Sequence, residues 1–368
     1  MKYITPADHQ AKRISVHNSQ RQHFVQPVSA PLYAITAITN YPRFYSRYKL
    51  WERWEKMCQD AGAIPITIEI ALRDRHHEVT QHDNPNHIQL RTISELWHKE
   101  NALNIAISRL PEDWEYVAWI DSDIEFARPD WVTETIHQLQ HYKIIQMWSH
   151  AQDLGPDISH PGSLHTPVHR QFNSFMYSFL QDVESSVYNP RPGKRYQHCP
   201  TPPDYGHGHG YGGAPSRHHD AHQWHSGYCW AARRSALADL GGLGDIAPLG
   251  SGDHHMAAAL VGCVDRTIHQ GMQPSYKEYW HQWQERATEY IKRNVGYMPG
   301  LILHHWHGKK AQRGYIDRWK ILVDNKFDHL LDLKKDIQHV WQLTNRNLKL
   351  RDQIRRYFLS RSEDSIDL

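Results

Sequence analysis

Residues 96–126 read LWHKENALNIAISRLPEDWEYVAWIDSDIEF, and this stretch decides the fold. Its first half belongs to a helix that we place over residues 93–108. Tyr116 to Ile120 (YVAWI) is a short, wholly apolar run that reads as a buried strand and stops at Asp121. Asp121 and Asp123 therefore emerge together, directly after a strand and with only Ser122 between them. Two ionised carboxylates held this close repel each other, and an adjacent cation relieves the repulsion. Mg²⁺ and Mn²⁺ prefer oxygen ligands, and Mg²⁺ commonly sits between carboxylates and substrate phosphates.

The same alternation extends outward. Leu32 to Ile38 (LYAITAI) is apolar and β-branched and reads as a strand ending in the loop Thr39-Asn40-Tyr41-Pro42. Residues 44–60 space bulky apolar residues three and four apart, as an amphipathic helix does. Ile64 to Ile70 reads as a strand, 131–141 as a helix and Lys143 to Trp148 as a further strand. Strand–helix alternation of this kind predicts an α/β fold with a mostly parallel central sheet and helices on both faces. Ligands collect at the carboxyl ends of such strands, where Asn40, Glu69 and Asp121 all lie.

The 368 residues allow one or two domains. With 14 Trp, 19 Tyr and 39% hydrophobic residues the chain is no disordered polymer. A formal charge of +2 excludes a global field drawing it onto nucleic acid or an acidic membrane, while the 30 histidines supply many candidate ligands. Cys58, Cys199, Cys229 and Cys263 lack CxxC spacing and read as buried, reduced residues. Without an apolar leader or a long apolar run, the expectation is a cytoplasmic protein with no membrane span.

Residues 1–30 form a polar arm, and 31–310 a single domain. Within it, 150–226 is a His-, Gly- and Pro-rich insertion, with a helix near 168–182. The segment 207–225 carries six histidines, which we read as a functional lid rather than a zinc site. Gly227 opens a short strand running into a helix, 276–293 reads as a helix, and Leu301 to Trp306 as a strand. Residues 311–368 form a basic helical extension.

Three further groups carry chemistry. Lys99 and Asn104 share half a helix circumference, and an ammonium and an amide near a diphosphate can contact sugar or phosphate. Asp253 follows Gly250-Ser251-Gly252 at the start of a helix, as an N-cap or as a general base whose pKa a dry pocket would raise. Leu303-His304-His305-Trp306-His307-Gly308 ends a strand in imidazoles. Because His304 and His305 point to opposite faces, both would not bind one ion.

The block 96–126, with LGGL at 240–243, GSGD at 250–253 and HHWHG at 304–308, resembles the core of GT-A glycosyltransferases, the broad family that includes family 2 enzymes. The match spans roughly residues 31–310. The resemblance implies a GT-A type, Rossmann-like fold holding a nucleoside diphosphate sugar, most naturally a UDP-sugar, with Mn²⁺ or Mg²⁺ as cofactor. It implies that Asp121 and Asp123 bind the metal, completed by His307 first and His304 second. Thr39, Asn40, Arg43, Glu69, Arg75, Lys99, Asn104, Asp121 and Ser122 would bind the donor. Asp253 would be the base of an inverting transfer, although Gly-Asp stands where family 2 enzymes often carry Glu-Asp. Trp224, His225, Gly227 and His254 would face the acceptor, with the insertion 150–226 on that side and its segment 207–225 as an acceptor-binding lid, and Lys309, Lys310 and Arg313 would be diphosphate clamps or a closing loop.

Together with NYPRFYSRYKLW, GYCWAARR and the tail RSEDSID, these motifs also resemble a glycosyltransferase group often found in tailed-phage genomes. That narrower likeness implies a hydroxylated or hydroxymethylated DNA base as acceptor, in the host cytoplasm. Lys334, Lys335, Arg346, Lys349, Arg351, Arg355, Arg356 and Arg361 would meet DNA phosphates, or be one solvated face of an amphipathic helix. The rival readings are transfer to a surface glycan or lipid-linked saccharide, a nucleotidyltransferase, and a non-catalytic nucleic-acid-binding protein.

Overall fold

The computed structural model describes residues 30–156, 168–188, 224–314 and 317–366, and the chain from Pro31 onward forms one compact unit. Among the described residues, seven strands build the main sheet. β1 (Leu32–Ile38), β2 (Ile64–Leu72), β3 (His87–Thr92) and β4 (Tyr116–Ile120) are mutually parallel. β1 and β4 are apolar without alternation because almost every residue is buried, as parallel strands covered on both faces require.

Two short strands follow β4. β5 (Ile124–Phe126) lies outside the main sheet, and β6 (Ile144–Gln146) lies within it. A second sheet of five strands has the order β5-β12-β7-β8-β9, with β7 (His150–Leu154), β8 (Val168–Ser174), β9 (Trp224–His225) and β12 (Leu301–His304). Between β4 and β6 the main sheet admits β10 (Cys229–Arg233), antiparallel to both, and it ends on β11 (Val295–Tyr297). The predicted mostly parallel sheet is present, with one reversed strand in it.

The helices are α1 (Tyr45–Asp60), α2 (Lys99–Ile107), α3 (Trp131–His141), α4 (Phe175–Tyr188), α5 (Arg234–Leu240), α6 (Gly252–Leu260) and α7 (Pro274–Arg286). Trp54, Trp131, Trp148, Trp280 and Trp283 are fully buried, each removing an aromatic surface worth roughly 3 kcal/mol from water.

Several sequence expectations need correction. α2 begins at Lys99, not residue 93. Thr92 Oγ1 accepts the Ser94 N–H, and the Trp97 N–H is taken by Pro248 O, so side-chain and tertiary partners outcompete the helix there. Residues 168–174 are strand, not helix, because β7 offers them an antiparallel ladder. The strand expected over 143–148 shrinks to β6. The helix expected over 276–293 is α7 followed by a π-turn over Ala287–Ile291.

The C-terminal extension is not wholly helical. α8 (Asp317–Asp324), α9 (His329–Asp332) and α10 (Leu348–Leu359) are interrupted by a hairpin, β13 (Leu333–Lys335) with β14 (Trp341–Leu343). Asp336 stabilises its turn by accepting the Gln338 and Val340 N–H groups. Most of the histidine-rich lid segment, 207–223, lies outside the described residues. No described helix is long and apolar enough to cross a membrane. Cys58 and Cys229 are buried free thiols as expected, whereas Cys263 is disulfide-bonded.

Candidate active site

The second sheet places the metal-ligand candidates by register. His304 is the cross-strand partner of Ile124 in β5 and of Asp153 in β7. The His305 N–H donates to Asp123 O at 2.9 Å and locks the acidic turn onto the end of β12. His304 faces inward at 4% exposure, while His305 turns away to Glu125 at 2.9 Å. The strand period thus selects one imidazole of the pair.

Asp123, His304 and His307 gather with their ligand atoms within 4.8 Å of one another. His307 Nε2 is 2.9 Å and His304 Nε2 is 3.8 Å from Asp123 Oδ2, and the two imidazole nitrogens are 3.3 Å apart. Metal–ligand bonds of about 2.0–2.2 Å require neighbouring donors roughly 3.0–3.6 Å apart, so the three atoms fit around one ion. His304 Nδ1 donates to Asp153 at 2.7 Å, and the same oxygen accepts the Tyr228 hydroxyl at 2.8 Å. A carboxylate on the far nitrogen fixes the tautomer that leaves Nε2 free to bind a metal. On the other imidazole, Glu363 Oε2 stands 3.4 Å from His307 Nδ1.

The electrostatics agree. Burial pushes His304 down to about 4, outweighing Asp153 and Asp123, so it is a neutral imidazole near pH 7. Burial would raise Asp123, but His307 and His304 hold its carboxyl well below the usual range. Asp123 Oδ1 is buried with no hydrogen-bond partner. Such an atom in a native fold calls for a partner, and a divalent cation would supply one. Arg313 donates to His307 Nε2 at 2.9 Å, so the site already attracts positive charge.

Asp121 lies outside this triad. Its carboxylate is ion-paired with Lys99, the first residue of α2. Burial would lower the Lys99 ammonium, but Asp121, Asp253 and Glu100 together raise it. Lys99 therefore pairs with the acidic turn at Asp121 and lies within electrostatic reach of Asp253. Ser122 faces away, lining a crevice with Arg53, Glu125 and His305 behind the turn.

Asp253 is not the N-cap of α6. That position belongs to Ser251, and Asp253 sits in the first turn, accepting the His254 N–H at 2.8 Å. Burial alone would raise its carboxyl, but Lys99, His225 and His254 hold it below the ordinary value, opposite to the expected shift. Gly227 clears the space before it, since a Cβ there would fall 2.5 Å from Asp253 Oδ2 and 2.9 Å from His225 Cε1. His225 stacks on Tyr228, centroids 4.2 Å apart, and Tyr228 lies 4.7 Å from His304. Trp224 meets His254 edge-on at 5.7 Å. Of the four residues expected on the acceptor side, Gly227, His225 and His254 lie beside Asp253 and Trp224 packs on His254, and His225 connects through Tyr228 to His304.

No family model matches the chain, and no curated protein matches it. Among solved structures it is similar to a protein from Desulfovibrio desulfuricans G20 described as a nucleotide-diphospho-sugar transferase. That similarity has 12% identity and a TM-score of 0.27, over 88% of this chain and 97% of that one.

Asn40, Arg43, Glu69 and Arg75 line one crevice at the ends of β1 and β2, with Tyr41 and Tyr48. Asn40 bonds Phe44 through both backbone groups, shaping the entry to α1. Glu69, 4% exposed, accepts the N–H groups of Glu78, Val79 and Thr80 at 2.7–3.1 Å and the Thr80 hydroxyl at 2.7 Å. It holds the loop wall of that crevice. Arg75 donates to Tyr41 O. Thr39 precedes Asn40 and does not line the crevice. Asn104 has both its donor and its acceptor engaged with the backbone of Leu243, so it tethers the Gly241-Gly242 turn.

Asp153, Tyr228, Glu363 and Glu100 were not singled out in the sequence. Glu100 is 3% exposed beside Gly252, and burial pushes its carboxyl up to about 8. In the basic tail, Lys335, Arg346, Arg351, Arg355 and Arg361 are ion-paired with Asp245, Asp332, Asp352, Glu95 and Glu363. These pairs spend much of the charge that DNA phosphates would need.

Proposed function

We propose that this protein is a metal-dependent glycosyltransferase of the GT-A type, moving a sugar from a nucleoside diphosphate sugar to an acceptor hydroxyl. The observation that carries the reading is the cation-capable triad at one sheet edge, next to the Lys99–Asp121 ion pair, whose ammonium lies in the field of Asp253 in a glycine-cleared, aromatic pocket. Mn²⁺ or Mg²⁺ held by Asp123, His304 and His307 would offset charge on the leaving diphosphate.

The protein's own groups do the rest. The Asn40–Arg43–Glu69–Arg75 crevice takes the nucleoside, with uracil the base we favour. Lys99 brings positive charge to the diphosphate side and holds Asp121 in place, and Arg313 turns from His307 to the phosphates. Asp253, ionised at neutral pH, takes the proton of the acceptor hydroxyl as its oxygen bonds to the anomeric carbon and the diphosphate departs. His225, Trp224 and His254 present the acceptor, and attack opposite the leaving group inverts the sugar.

The test is donor turnover by the purified protein with Mn²⁺, after EDTA treatment and in Asp123→Ala. Both treatments abolish turnover; full activity in either sinks the proposal. Pyrophosphate released from a nucleoside triphosphate would identify a nucleotidyltransferase instead. For the acceptor we favour a hydroxylated or hydroxymethylated DNA base, on the motif resemblance. Sugar incorporated into saccharides but not into modified DNA overturns that choice while leaving the transfer intact.

A further inference from the structure

The triad does not account for a dense set of contacts behind His307. Glu363 is 2% exposed, with Oε1 2.7 Å from Arg361 Nε and Oε2 shared between Arg47 Nε and His307 Nδ1. Asp364 accepts the backbone N–H groups of Tyr45 and Ser46, each at 2.8 Å, in the first turn of α1. Ser365 O accepts Trp306 Nε1 at 2.8 Å. Arg361 lies over Trp97, 5.2 Å from the ring centroid. The tail backbone presses on Gly308, whose φ is +86° and where a Cβ would fall 2.8 Å from Ser362 O. Five residues thereby touch the start of α1, the loop after β12 and the segment before α2.

Glu363 lies beside His307 Nδ1 at 3.4 Å, a looser ion-pair contact than the 2.7 Å hydrogen bond between Asp153 and His304 Nδ1. Each carboxylate addresses Nδ1 and leaves Nε2 directed at Asp123. A carboxylate so placed orients the ring and raises its basicity toward a metal. The two supports differ in attachment. Asp153 is fixed by strand pairing within the sheet. Glu363 arrives on a segment held by side chains and a few backbone acceptors, and such a segment can release as a unit.

We infer that Arg361–Ser365 is a strap completing the metal centre, in which Glu363 is a positioning residue for His307 and the docking of Asp364 on α1 sets cation affinity. The inference rests on the metal-centre reading above. It adds that the site's grip on its cation depends on a segment bearing none of the three ligands. When the strap leaves, His307 loses the group that orients it, while Asp123, His304 and Asp153 stay in place.

The experiment measures Mn²⁺ binding to the full chain by calorimetry and by Mn²⁺ electron paramagnetic resonance, with no substrate present. Wild type, Glu363→Gln, Asp364→Ala and the comparator Asp153→Asn are compared, with melting in EDTA recorded for each. Glu363→Gln and Asp153→Asn should both weaken Mn²⁺ by about 10- to 100-fold. Asp364→Ala, which touches no ligand, should weaken it about fivefold, the loss expected for one helix-capping carboxylate. Should Glu363→Gln fail to fold, Asp364→Ala decides. Wild-type affinity in the folded strap variants, with Asp153→Asn impaired, overturns the strap and spares the metal centre. A folded wild-type protein that binds no Mn²⁺ overturns both.

Discussion

Replacing Gly227 by alanine adds one methyl group where the backbone passes in front of Asp253. The new Cβ would lie 2.5 Å from Asp253 Oδ2 and 2.9 Å from His225 Cε1. Ordinary contact begins near 3.4 Å, so the carboxylate must retreat by about 0.9 Å or the strand must shift, with overpacking of this kind costing roughly 1–3 kcal/mol. Misplacing a reacting group by about 1 Å costs on the order of 100-fold in rate, equivalent to about 2.7 kcal/mol of barrier. Gly227→Ala should therefore lower kcat about 100-fold, while Mn²⁺ affinity, set by groups on the far side of Tyr228, stays within about twofold of wild type. Single-turnover sugar transfer at saturating donor, with Mn²⁺ titration in parallel, separates the two. A folded Gly227→Ala protein with wild-type kcat would refute the placement of Asp253 at the reacting hydroxyl.

Acid should destabilise the fold before the carboxylates of ordinary pKa are titrated, with buried Glu100, already taking up its proton near pH 8, offsetting about one ring's share. Burial holds His98 and His254 at about 4 and His255 well below its ordinary 6.5. The unfolded chain then binds protons first. The stability these rings contribute is complete above about pH 6.5 and lost as pH falls toward 4, on the order of 3 kcal/mol for a ring such as His98. The urea midpoint should drop steeply between pH 7 and 5, and a flat profile across that window contradicts the burial argument. Glu69→Gln should raise the donor Kd about tenfold, because a carboxamide cannot satisfy three N–H groups and a hydroxyl at once, and it should leave Mn²⁺ binding unchanged. Unaltered donor affinity in that variant would remove the β1–β2 crevice from the nucleoside site.

The sequence made the central strands legible because β1, β2 and β4 are mostly apolar, with Thr36, Thr67 and Glu69 the polar exceptions, as doubly covered strands are. Asp123 and the imidazoles at 304 and 307 were legible too, since each ends a readable strand and carries metal-ligand chemistry on its face. The short strands were harder. β5 and β11 have three residues each, too few for a period, and β8 runs straight into an apolar helix, so its aromatics read as one helical face. The partners of the ligands left no local trace. Asp153 finds His304 through strand register, and Glu363 meets Arg47 across most of the chain. Asn104 shows the converse, an amide of the right type on the right helix that is spent on a neighbouring turn. The sign of the Asp253 shift was also beyond sequence, because it turns on whether Lys99 and His225 sit closer than the apolar wall.

The Arg47–Glu363 pair joins residues 316 positions apart. A nascent polypeptide emerging N-terminus first can shape its nucleoside crevice and both imidazole-bearing turns well before residue 363 leaves the ribosome. On the strap reading, the support for His307 arrives only with residue 363. A polypeptide still lacking that residue would be folded over its imidazole-bearing turns yet poorly loaded with cation.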